Sequence, residues 1–214
     1  MSGVAADVLA RFVCRQLANV IPDGHDGQAA VQAALPAALE RTRRCVAGVR
    51  AWHAGGFDPL VSGQYASFLY LLSHEIWARH GDGPTATRLF LLNKSLHGLE
   101  LFHEVELPEV FFLSHTPGLV FAKARYGNRL VLHQGCTVGR KVGGERPVLD
   151  ECVVLFPNSM VIGRCHLRAG SVLAPGVCLV DTDTPGDCYV LPGPAGRPVF
   201  KPARREVWKD YLVG

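Results

Sequence analysis

Aliphatic residues recur at every sixth position in the second half of the chain. Six consecutive hexads, whose first residues run from Leu149 to Leu179, each begin with Leu or Val, and a shorter run precedes them. The first positions of all the hexads are Val120, Tyr126, Leu132, Val138, Leu149, Leu155, Val161, Leu167, Leu173 and Leu179. Four residues later stands a residue that is small in nearly every hexad, with Leu130 as the exception. These residues are Ala124, Leu130, Cys136, Val153, Ser159, Cys165, Ser171 and Val177.

This six-residue period is typical of a parallel β-helix. Each hexad supplies one short strand, three hexads make one triangular coil, and coils stack at the sheet spacing of about 4.8 Å. The aliphatic residue fills the interior and the small residue turns the corner. An ordinary β-rich domain with alternating residues is the competing interpretation. We favour the β-helix because only one position in each hexad is reliably aliphatic.

The repeat is interrupted once. From Val138 to Leu149 there are eleven residues, which is one hexad plus five. The additional residues lie in 139–147, a glycine-rich and charged stretch that cannot join the wall of a prism. We therefore expect a loop there, and loops on a rigid scaffold often carry function.

The first hundred residues have helical spacing instead, with apolar residues three and four positions apart. The predicted helices cover 4–21, 27–50, 63–80 and 86–102. Pro36 is a potential kink in the second helix, and Ser62 and Thr85 are expected to cap the third and the fourth.

Pro108 ends the helical pattern, so we expect a helical domain over 1–107 and a β-helix domain with a C-terminal tail over 108–214. The β-helix should close near Thr184. The tail is basic, and a short helix is expected from about Ala203.

Composition places the chain among globular proteins, because 48% of its residues are hydrophobic and only 19% are charged. A net charge of +3 is too small to argue for nucleic acid as a partner. No apolar stretch approaches the ~18 residues of a membrane span, and the N-terminus lacks the features of a signal peptide. The seven cysteines include no Cys-x-x-Cys pair, which favours buried reduced thiols over disulfides or zinc and favours the cytoplasm.

Four short motifs follow one another in order: Ser-His-Thr-Pro-Gly over 114–118, Thr-Val-Gly over 137–139, Gly-Gly-Glu-Arg-Pro over 143–147 and Gly-Pro-Ala over 193–195. Together with the helical domain and the hexads, this order resembles the serine acetyltransferases of cysteine biosynthesis, and more closely the serine acetyltransferase-like proteins. The resemblance covers about 60–200. It implies an α+β fold, in which an N-terminal all-helical domain precedes a left-handed parallel β-helix of hexapeptide repeats.

The resemblance also implies an activity, the transfer of an acetyl group from acetyl-CoA to the hydroxyl of L-serine or of a related small molecule. His115 occupies the position of the family's general base, which takes the proton of the attacking hydroxyl. Neutral imidazole is abundant at pH 7, so histidine suits that role. The alternative for His115 is a structural histidine that is hydrogen-bonded to backbone where the two domains join.

The carboxylate that would pair with His115 is harder to assign. The family has aspartate directly before this histidine, where this chain has Ser114. Glu106 is the first candidate for the partner of His115, although it lies about one hexad closer than the family spacing. Glu104 and Glu109 are further candidates at the acceptor site, and all three could equally be solvated surface charges.

The loop keeps the arginine that holds the acceptor's carboxylate in the family, at Arg146, but it lacks the aspartate and the histidine of the family motif. L-serine itself is therefore open to question as the acceptor. His133 follows His115 by three hexads, or one full coil, and would stack above it on one face if the repeat extends that far back. In that case His133 either lines the acceptor pocket or is a half-exposed residue of the wall.

By the same resemblance, acetyl-CoA lies along the outer wall between two subunits, and no metal is expected. Backbone groups near Gly139, Ser159 and Ala174 would hold the pantetheine arm, and Arg197 and Lys201 would pair with the phosphates. The basic tail could instead be merely solvated. A homotrimer is implied, and the pairing of trimers into a hexamer through the helical domains is open.

Three other functions are compatible with a β-helix. An N-acetyltransferase for an amino sugar would favour a nucleotide-binding α/β unit at the N-terminus, which the helical pattern opposes. A hydratase of the carbonic anhydrase type needs three convergent histidines, and His166 falls at a different hexad position from His115 and His133. A non-catalytic assembly partner would explain the missing aspartate and histidine.

Overall fold

Four α-helices precede the β-structure in the computed structural model, which describes residues 5–52 and 55–214. They are α1 (Ala6–Val20), α2 (Gln28–Ala47), α3 (Ser62–His80) and α4 (Gly83–His97). The four predicted helices are thus confirmed, and α2 continues through Pro36. The predicted caps are wrong. Asp82 caps α4 by accepting the N–H of Thr85 at 3.0 Å, and Val61 precedes α3 without a side-chain cap.

Fourteen short strands follow in the described part of the chain. In chain order they are β1 (Glu100–Leu101), β2 (Phe111–Ser114), β3 (Val120–Phe121), β4 (Arg125–Tyr126), β5 (Leu130–His133), β6 (Thr137–Gly139), β7 (Val148–Leu149), β8 (Val154–Leu155), β9 (Met160–Ile162), β10 (His166–Leu167), β11 (Val172–Leu173), β12 (Cys178–Val180), β13 (Cys188–Pro192) and β14 (Pro198–Pro202).

The strands form the three walls of a prism, and the predicted left-handed parallel β-helix is confirmed. Wall 1 contains β2, β5, β8, β11 and β13, and wall 2 contains β1, β3, β6, β9 and β12. Wall 3 contains β4, β7 and β10. All pairs of neighbouring strands are parallel except β13 and β14, which form an antiparallel hairpin at the end of wall 1. The chain visits wall 1, wall 2 and wall 3 in turn.

The first residues of the hexads fill the interior of the prism as predicted, with one exception. From Leu132 to Leu179 they are at most 1% exposed, and Tyr126 is 7% exposed. In β3, however, Val120 is 38% exposed, whereas Phe121 is buried and lies opposite Val138. The spacing from the interior Phe121 to the interior Tyr126 is therefore five residues, and the six-residue period begins only at Tyr126.

One hydrophobic core runs from the helices into the prism. Tyr70 of α3 is in the same buried cluster as the interior leucines. Its hydroxyl donates to the carbonyl of Val105 at 2.6 Å and accepts the N–H of Leu107 at 3.0 Å. The thiol of Cys45 in α2 donates to the carbonyl of Phe111 at 3.2 Å. These bonds satisfy buried polar groups at the first coil and so fix the helices against it.

The outer face of wall 1 is covered by residues near the end of the chain. The outward-facing Val131, Val154 and Val172 form a buried cluster with Trp208 and Leu212. The predicted C-terminal helix is a 3₁₀ turn that spans Val207–Asp210 rather than a helix from about Ala203. A bridge between Val49 and Leu212 joins this segment to the region after α2. The C-terminal segment thus shields these valines of wall 1 from solvent.

All seven cysteines are free thiols, but the prediction that they are buried holds for only four of them, because Cys14 and Cys152 are partly exposed and Cys178 is exposed. Burial raises the pKa of Cys45 to about 11, so that thiol stays protonated. Within the described ranges, no helix has the length and apolar character needed to cross a membrane.

The interior of the prism should set the stability of the fold. Replacing Leu167, which is fully buried, by alanine should lower the free energy of unfolding by about 2–5 kcal/mol, because a cavity remains in the coil. The matched control is Leu60→Ala, since Leu60 is 85% exposed and its loss should cost less than about 0.5 kcal/mol. Thermal unfolding at one fixed protein concentration gives both values. Equal effects would contradict the assignment of the interior.

Candidate active site

His115 lies at the corner between wall 1 and wall 2, in a stretch that is longer than its counterpart in the next coil. Five residues, 115–119, separate Ser114 from Val120, whereas only three, 134–136, separate their sheet partners His133 and Thr137. The corner after β2 therefore holds two more residues than the corner after β5. This additional length displaces His115 from the wall. Its side chain is exposed, and its backbone has a φ of 59°, which a non-glycine residue seldom adopts.

The first coil is one residue longer than three hexads, because the sheet partners Ser114 and His133 are nineteen residues apart, and this changes the expected relation between His115 and His133. The residue directly beside His133 in the sheet is Ser114, so the two histidines are diagonal neighbours rather than stacked. The His133 ring lies almost parallel to Phe156, with ring centroids 5.1 Å apart, and meets Tyr211 edge-on at 5.2 Å. These aromatic contacts fix the orientation of the imidazole.

The surroundings of His133 favour its neutral form. Burial lowers its pKa, and the nearby His115 lowers it further, because a second positive charge would be unfavourable there. Its Nε2 atom is buried and has no hydrogen-bond partner within the described residues. A neutral ring with a free nitrogen can donate or accept a hydrogen bond according to its tautomer.

Two of the three candidate carboxylates already have partners. Glu104 forms an ion pair with Lys123. Glu109 binds two arginines of α2, Arg41 at 3.2 Å and Arg44 at 2.6 Å, and so ties that helix to the start of the β-helix. Glu106 is exposed and forms no ion pair with any residue that the structure describes. It therefore remains available to a ligand or to another subunit.

The loop that contains Arg146 leaves the prism between β6 and β7, at the corner between wall 2 and wall 3. Nine residues, 139–147, separate Val138 from Val148, whereas only four, 162–165, separate their sheet partners Val161 and His166. Lys141 fastens the loop to the wall through an ion pair with Asp181. This ion pair lowers the pKa of the Asp181 carboxyl.

His115 and Arg146 lie at opposite edges of wall 2 in one chain. His115 is at the corner where the chain enters wall 2, and the loop leaves at the corner where the chain departs from it. Arg146 is exposed and has no ion pair in the described part of the chain. A single chain therefore does not bring the predicted base and the predicted carboxylate-binding residue together.

The three backbone positions predicted to hold the pantetheine arm differ in which of their backbone groups are accessible to a ligand. The N–H of Ser159 donates to the carbonyl of Phe156, and the N–H of Ala174 donates to the carbonyl of Val190, so neither N–H is free for a ligand. The carbonyl oxygens of Ser159 and Ala174 each accept one hydrogen bond already and have a second lone pair that a ligand could use. The Ser159 side chain is buried inside the prism. Gly139 is partly exposed at the edge of wall 2. Ile162 packs so closely on it that an added Cβ would lie 3.1 Å from the side chain.

The basic residues of the tail are exposed but lie on separate elements. Arg197 follows the 3₁₀ turn Pro194–Gly196, and Lys201 lies on β14 opposite Tyr189. Neither residue forms an ion pair with the residues that the structure describes. Both cations are therefore accessible to an anionic ligand.

His166 is remote from the two histidines just described. It lies on wall 3, where its Nε2 contacts Asp150 at 2.9 Å. No group of three or more His, Cys, Asp or Glu residues with the geometry of a metal site occurs in 5–52 or 55–214. The described residues therefore do not provide the three convergent histidines that a metal-dependent hydratase would need.

Two residues of this region were missed by the sequence analysis. Tyr211 reaches the His133 ring from the C-terminal segment, and no local pattern relates residues so far apart in sequence. Gln134 has a buried amide oxygen without a hydrogen-bond partner among the described residues. A signal for Gln134 was present, because the equivalent positions of two later coils are Pro157 and Pro175.

The comparisons with known proteins identify the fold. No protein-family model matches the sequence, and no curated protein matches it. Among solved structures, serine acetyltransferase from Neisseria gonorrhoeae superimposes with a TM-score of 0.73 at 20% identity, covering 97% of this chain and 84% of that chain. Serine acetyltransferase from Brucella abortus gives 0.71 at 18% identity, covering 96% and 87%. A serine acetyltransferase in complex with CoA gives 0.71 at 17% identity, covering 91% and 84%. The chain shares the fold of these proteins over nearly its whole length.

Proposed function

We propose that the chain is an acetyl-CoA-dependent O-acetyltransferase that acts on L-serine or a related small hydroxyl-bearing acceptor, with His115 as the general base. The observation that carries the proposal is the displaced corner at His115. Two additional residues place an exposed imidazole beside a prism wall, in a fold shared with serine acetyltransferases. A purely structural histidine would not need this irregular corner.

The ligands of the structural neighbours support the same reaction class. One of the similar serine acetyltransferases is in complex with CoA, and the Neisseria gonorrhoeae protein is also known in complex with serine. Both superimpose on more than nine-tenths of this chain, with TM-scores of 0.71 and 0.69.

The chemistry at His115 is a proton relay. The neutral imidazole takes the proton of the acceptor hydroxyl while the hydroxyl oxygen attacks the carbonyl carbon of the thioester. The tetrahedral intermediate then collapses with cleavage of the carbon–sulfur bond, and the imidazolium returns the proton to the departing thiolate. The products are an acetyl ester and free CoA, and no covalent enzyme intermediate is formed.

Glu106 and Arg146 would complete the site. A carboxylate near imidazolium stabilises the charge that develops in the transition state, and Glu106 is the candidate that has no ion pair among the described residues. The planar guanidinium of Arg146 can bind an acceptor carboxylate through two parallel hydrogen bonds. Both residues are exposed and depend on a ligand or a neighbouring subunit for their partners.

The outer face of wall 2 is the surface on which a second copy would pack. Wall 1 is covered by the C-terminal segment, and wall 3 carries an ion pair between Arg125 and Asp150 and a hydrogen bond between Asp150 and His166. Wall 2 instead presents apolar side chains outward from β3, β9 and β12. These outward residues are Val120, Met160, Ile162, Cys178 and Val180. An exposed apolar sheet face is typical of a subunit interface.

Packing through wall 2 also explains why one chain separates His115 from Arg146. In a closed ring of three copies the contact is heterologous, so one edge of wall 2 meets the opposite edge of its neighbour. The His115 edge of one copy then adjoins the loop edge of the next. Each site would be completed by two chains, and a homotrimer would hold three sites.

Acetyl-CoA would lie in the same groove between copies. Gly139 at the edge of wall 2 would border the pantetheine arm, with the carbonyls of Ser159 and Ala174 as acceptors. Arg197 and Lys201 would meet the phosphates, because both cations are exposed near the end of the prism. The transfer as written requires no metal.

The first test concerns the trimer. Wild-type protein at micromolar concentration should have the mass of a trimer by light scattering. Met160→Glu should give monomers, because it would bury three uncompensated carboxylates around the axis. The matched control is Arg168→Glu on wall 3, which should remain trimeric. A monomeric wild-type protein would contradict both the interface and the shared site.

The second test concerns the loop. Saturating CoA should protect the loop from trypsin, which would cleave after Arg140 or Lys141 but not after Arg146, because Pro147 follows it. Without CoA, Asp181→Asn should be cleaved several-fold faster than wild type, because the ion pair with Lys141 is lost while every cleavage site remains. Asp183→Asn is the control, since Asp183 faces Arg164 and not the loop. Cleavage that saturating CoA leaves unchanged would argue against closure of the loop over the site.

The third test concerns the base. With acetyl-CoA and the best substrate from a panel of amino acids, alcohols and amino sugars, His115→Ala should lower the turnover rate by about 10²–10⁴-fold. Its affinity for CoA should stay close to that of wild type, because His115 contacts the acceptor. His80→Ala is the control, since His80 is exposed at the end of α3. Near-normal turnover in a folded His115→Ala trimer would exclude His115 from the mechanism.

A further inference from the structure

Four β-turns of the same kind form the corner between wall 1 and wall 2. Each turn is closed by a hydrogen bond from the N–H of its fourth residue to the carbonyl of its first, at 3.1–3.4 Å. The third residue of each turn has a positive φ of 60–77°. The turns are Thr116-Pro117-Gly118-Leu119, His133-Gln134-Gly135-Cys136, Phe156-Pro157-Asn158-Ser159 and Ala174-Pro175-Gly176-Val177.

Proline occupies the second position in three of these turns, and glutamine occupies it in the fourth. Proline suits this position because its fixed φ matches the turn and the N–H of that residue is not needed. The N–H of Gln134 likewise donates no hydrogen bond between backbone groups of the described residues. Nothing in the turn itself therefore calls for glutamine, and proline would make the folded chain more stable.

The side chain of Gln134 also lowers the stability of the folded chain. Its amide oxygen is buried and has no hydrogen-bond partner within the residues described, and the same is true of Nε2 of its neighbour His133. Buried polar atoms are almost always satisfied in folded proteins, and leaving one unsatisfied destabilises the native state. Two such atoms on consecutive residues indicate hydrogen bonds that are completed by a ligand.

The location of the pair relates it to His115. Ser114 lies beside His133 in the sheet, and the N–H of Gly135 donates to the carbonyl of Pro117 at 3.1 Å. The turn that contains Gln134 therefore stacks directly on the irregular corner that contains His115. The irregular corner and the glutamine are two departures from the regular prism, and they are in adjacent coils at the same corner.

We propose that Gln134 is a specificity-determining residue that selects acceptors with an N–H or O–H donor next to the hydroxyl that is acylated. This inference rests on the proposed acetyl transfer. The amide oxygen of Gln134 accepts a hydrogen bond from that donor, and Nε2 of His133, on a ring fixed by Phe156 and Tyr211, contacts the same part of the acceptor. Gln134 thus binds the acceptor rather than CoA, and it takes no part in the proton transfer.

Gln134→Pro tests the proposal without disturbing the fold, because proline is already present in the other three turns. L-serine and 3-hydroxypropionate serve as probes, since they differ only in the amino group. In wild type, kcat/KM should favour L-serine, and Gln134→Pro should reduce that preference by about tenfold, as expected for one charge-assisted hydrogen bond. The loss should appear in the KM for L-serine, with the KM for acetyl-CoA unchanged.

The reverse substitution in the next coil is the matched control. Pro157→Gln should leave the preference between the two acceptors unchanged, because it lies one coil further from His115. Thermal unfolding separates a binding role from a structural one. Gln134→Pro should raise Tm by about 2–4 °C, as an unsatisfied buried oxygen is removed and proline restricts the unfolded chain. Pro157→Gln should lower Tm.

The outcomes distinguish this proposal from the proposed activity. If wild type transfers acetyl groups and Gln134→Pro keeps the same preference for L-serine, the role of Gln134 is refuted while the activity stands. If wild type acylates no acceptor in the panel of amino acids, alcohols and amino sugars, the proposed activity fails and the specificity role of Gln134 fails with it. A Tm that falls in Gln134→Pro would show that the side chain is structural and would overturn the inference.

Discussion

The hydrogen bonds between stacked coils are the constraint on which the rest of this structure depends. Every backbone N–H and C=O in the walls must meet its partner in the coil above or below, because buried backbone groups are not left unpaired. In the upper coils this requirement fixes the repeat at three hexads, as in the pairing of Val148 with His166. Any additional residue must be expelled at a corner. The two stretches that leave the walls contain His115, the proposed general base, and Arg146, which is proposed to bind the acceptor carboxylate.

The outer faces of the three walls differ in character, although mostly aliphatic residues fill the interior along all three. Wall 1 is covered by aromatic and aliphatic residues of the C-terminal segment, which also reach the His133 ring. Wall 3 is polar, with a hydrogen bond between Nε2 of His166 and the carboxylate of Asp150. The outer face of wall 2 is largely apolar, and its outward side chains are partly or fully exposed. The outward residue of each strand is free to vary because the interior residue and the corner already specify the fold. The outer faces of the three walls can therefore differ in character without changing the fold.

The sequence alone predicted the repeat, the order of the two parts, the helices and the position of the loop, since each depends on residues close together in the chain. It failed where the repeat is irregular. The assignment of Val120 to the interior and the stacking of His115 on His133 both assumed an unbroken period through the first coil. The first coil breaks that period twice, because its corner after β2 holds two additional residues and only five residues lead from the interior Phe121 to the interior Tyr126. Only the pairing of the strands reveals both irregularities. The contact of Tyr211 with His133 joins distant parts of the chain and had no local signal. The caps at Ser62 and Thr85 failed because neighbouring residues, Val61 and Asp82, occupy the cap positions.

The corner insertions also bear on how such a chain can diverge. A change in length within a wall would shift every later strand by one face, but a change at a corner leaves the register of the walls intact. Corners can therefore gain or lose residues freely, while the walls retain only the requirement for aliphatic side chains, which many sequences meet. Chains that are only 16–20% identical to this one can then share its fold, with TM-scores of 0.71–0.73. A repetitive sequence also has ambiguous alignments. Because each coil resembles the next, such a sequence can be aligned with itself, or with another repeat sequence, with a shift of one whole coil and little loss of similarity. For a protein of this kind, the irregular positions, such as the insertions at corners, identify corresponding residues more reliably than the repeats do.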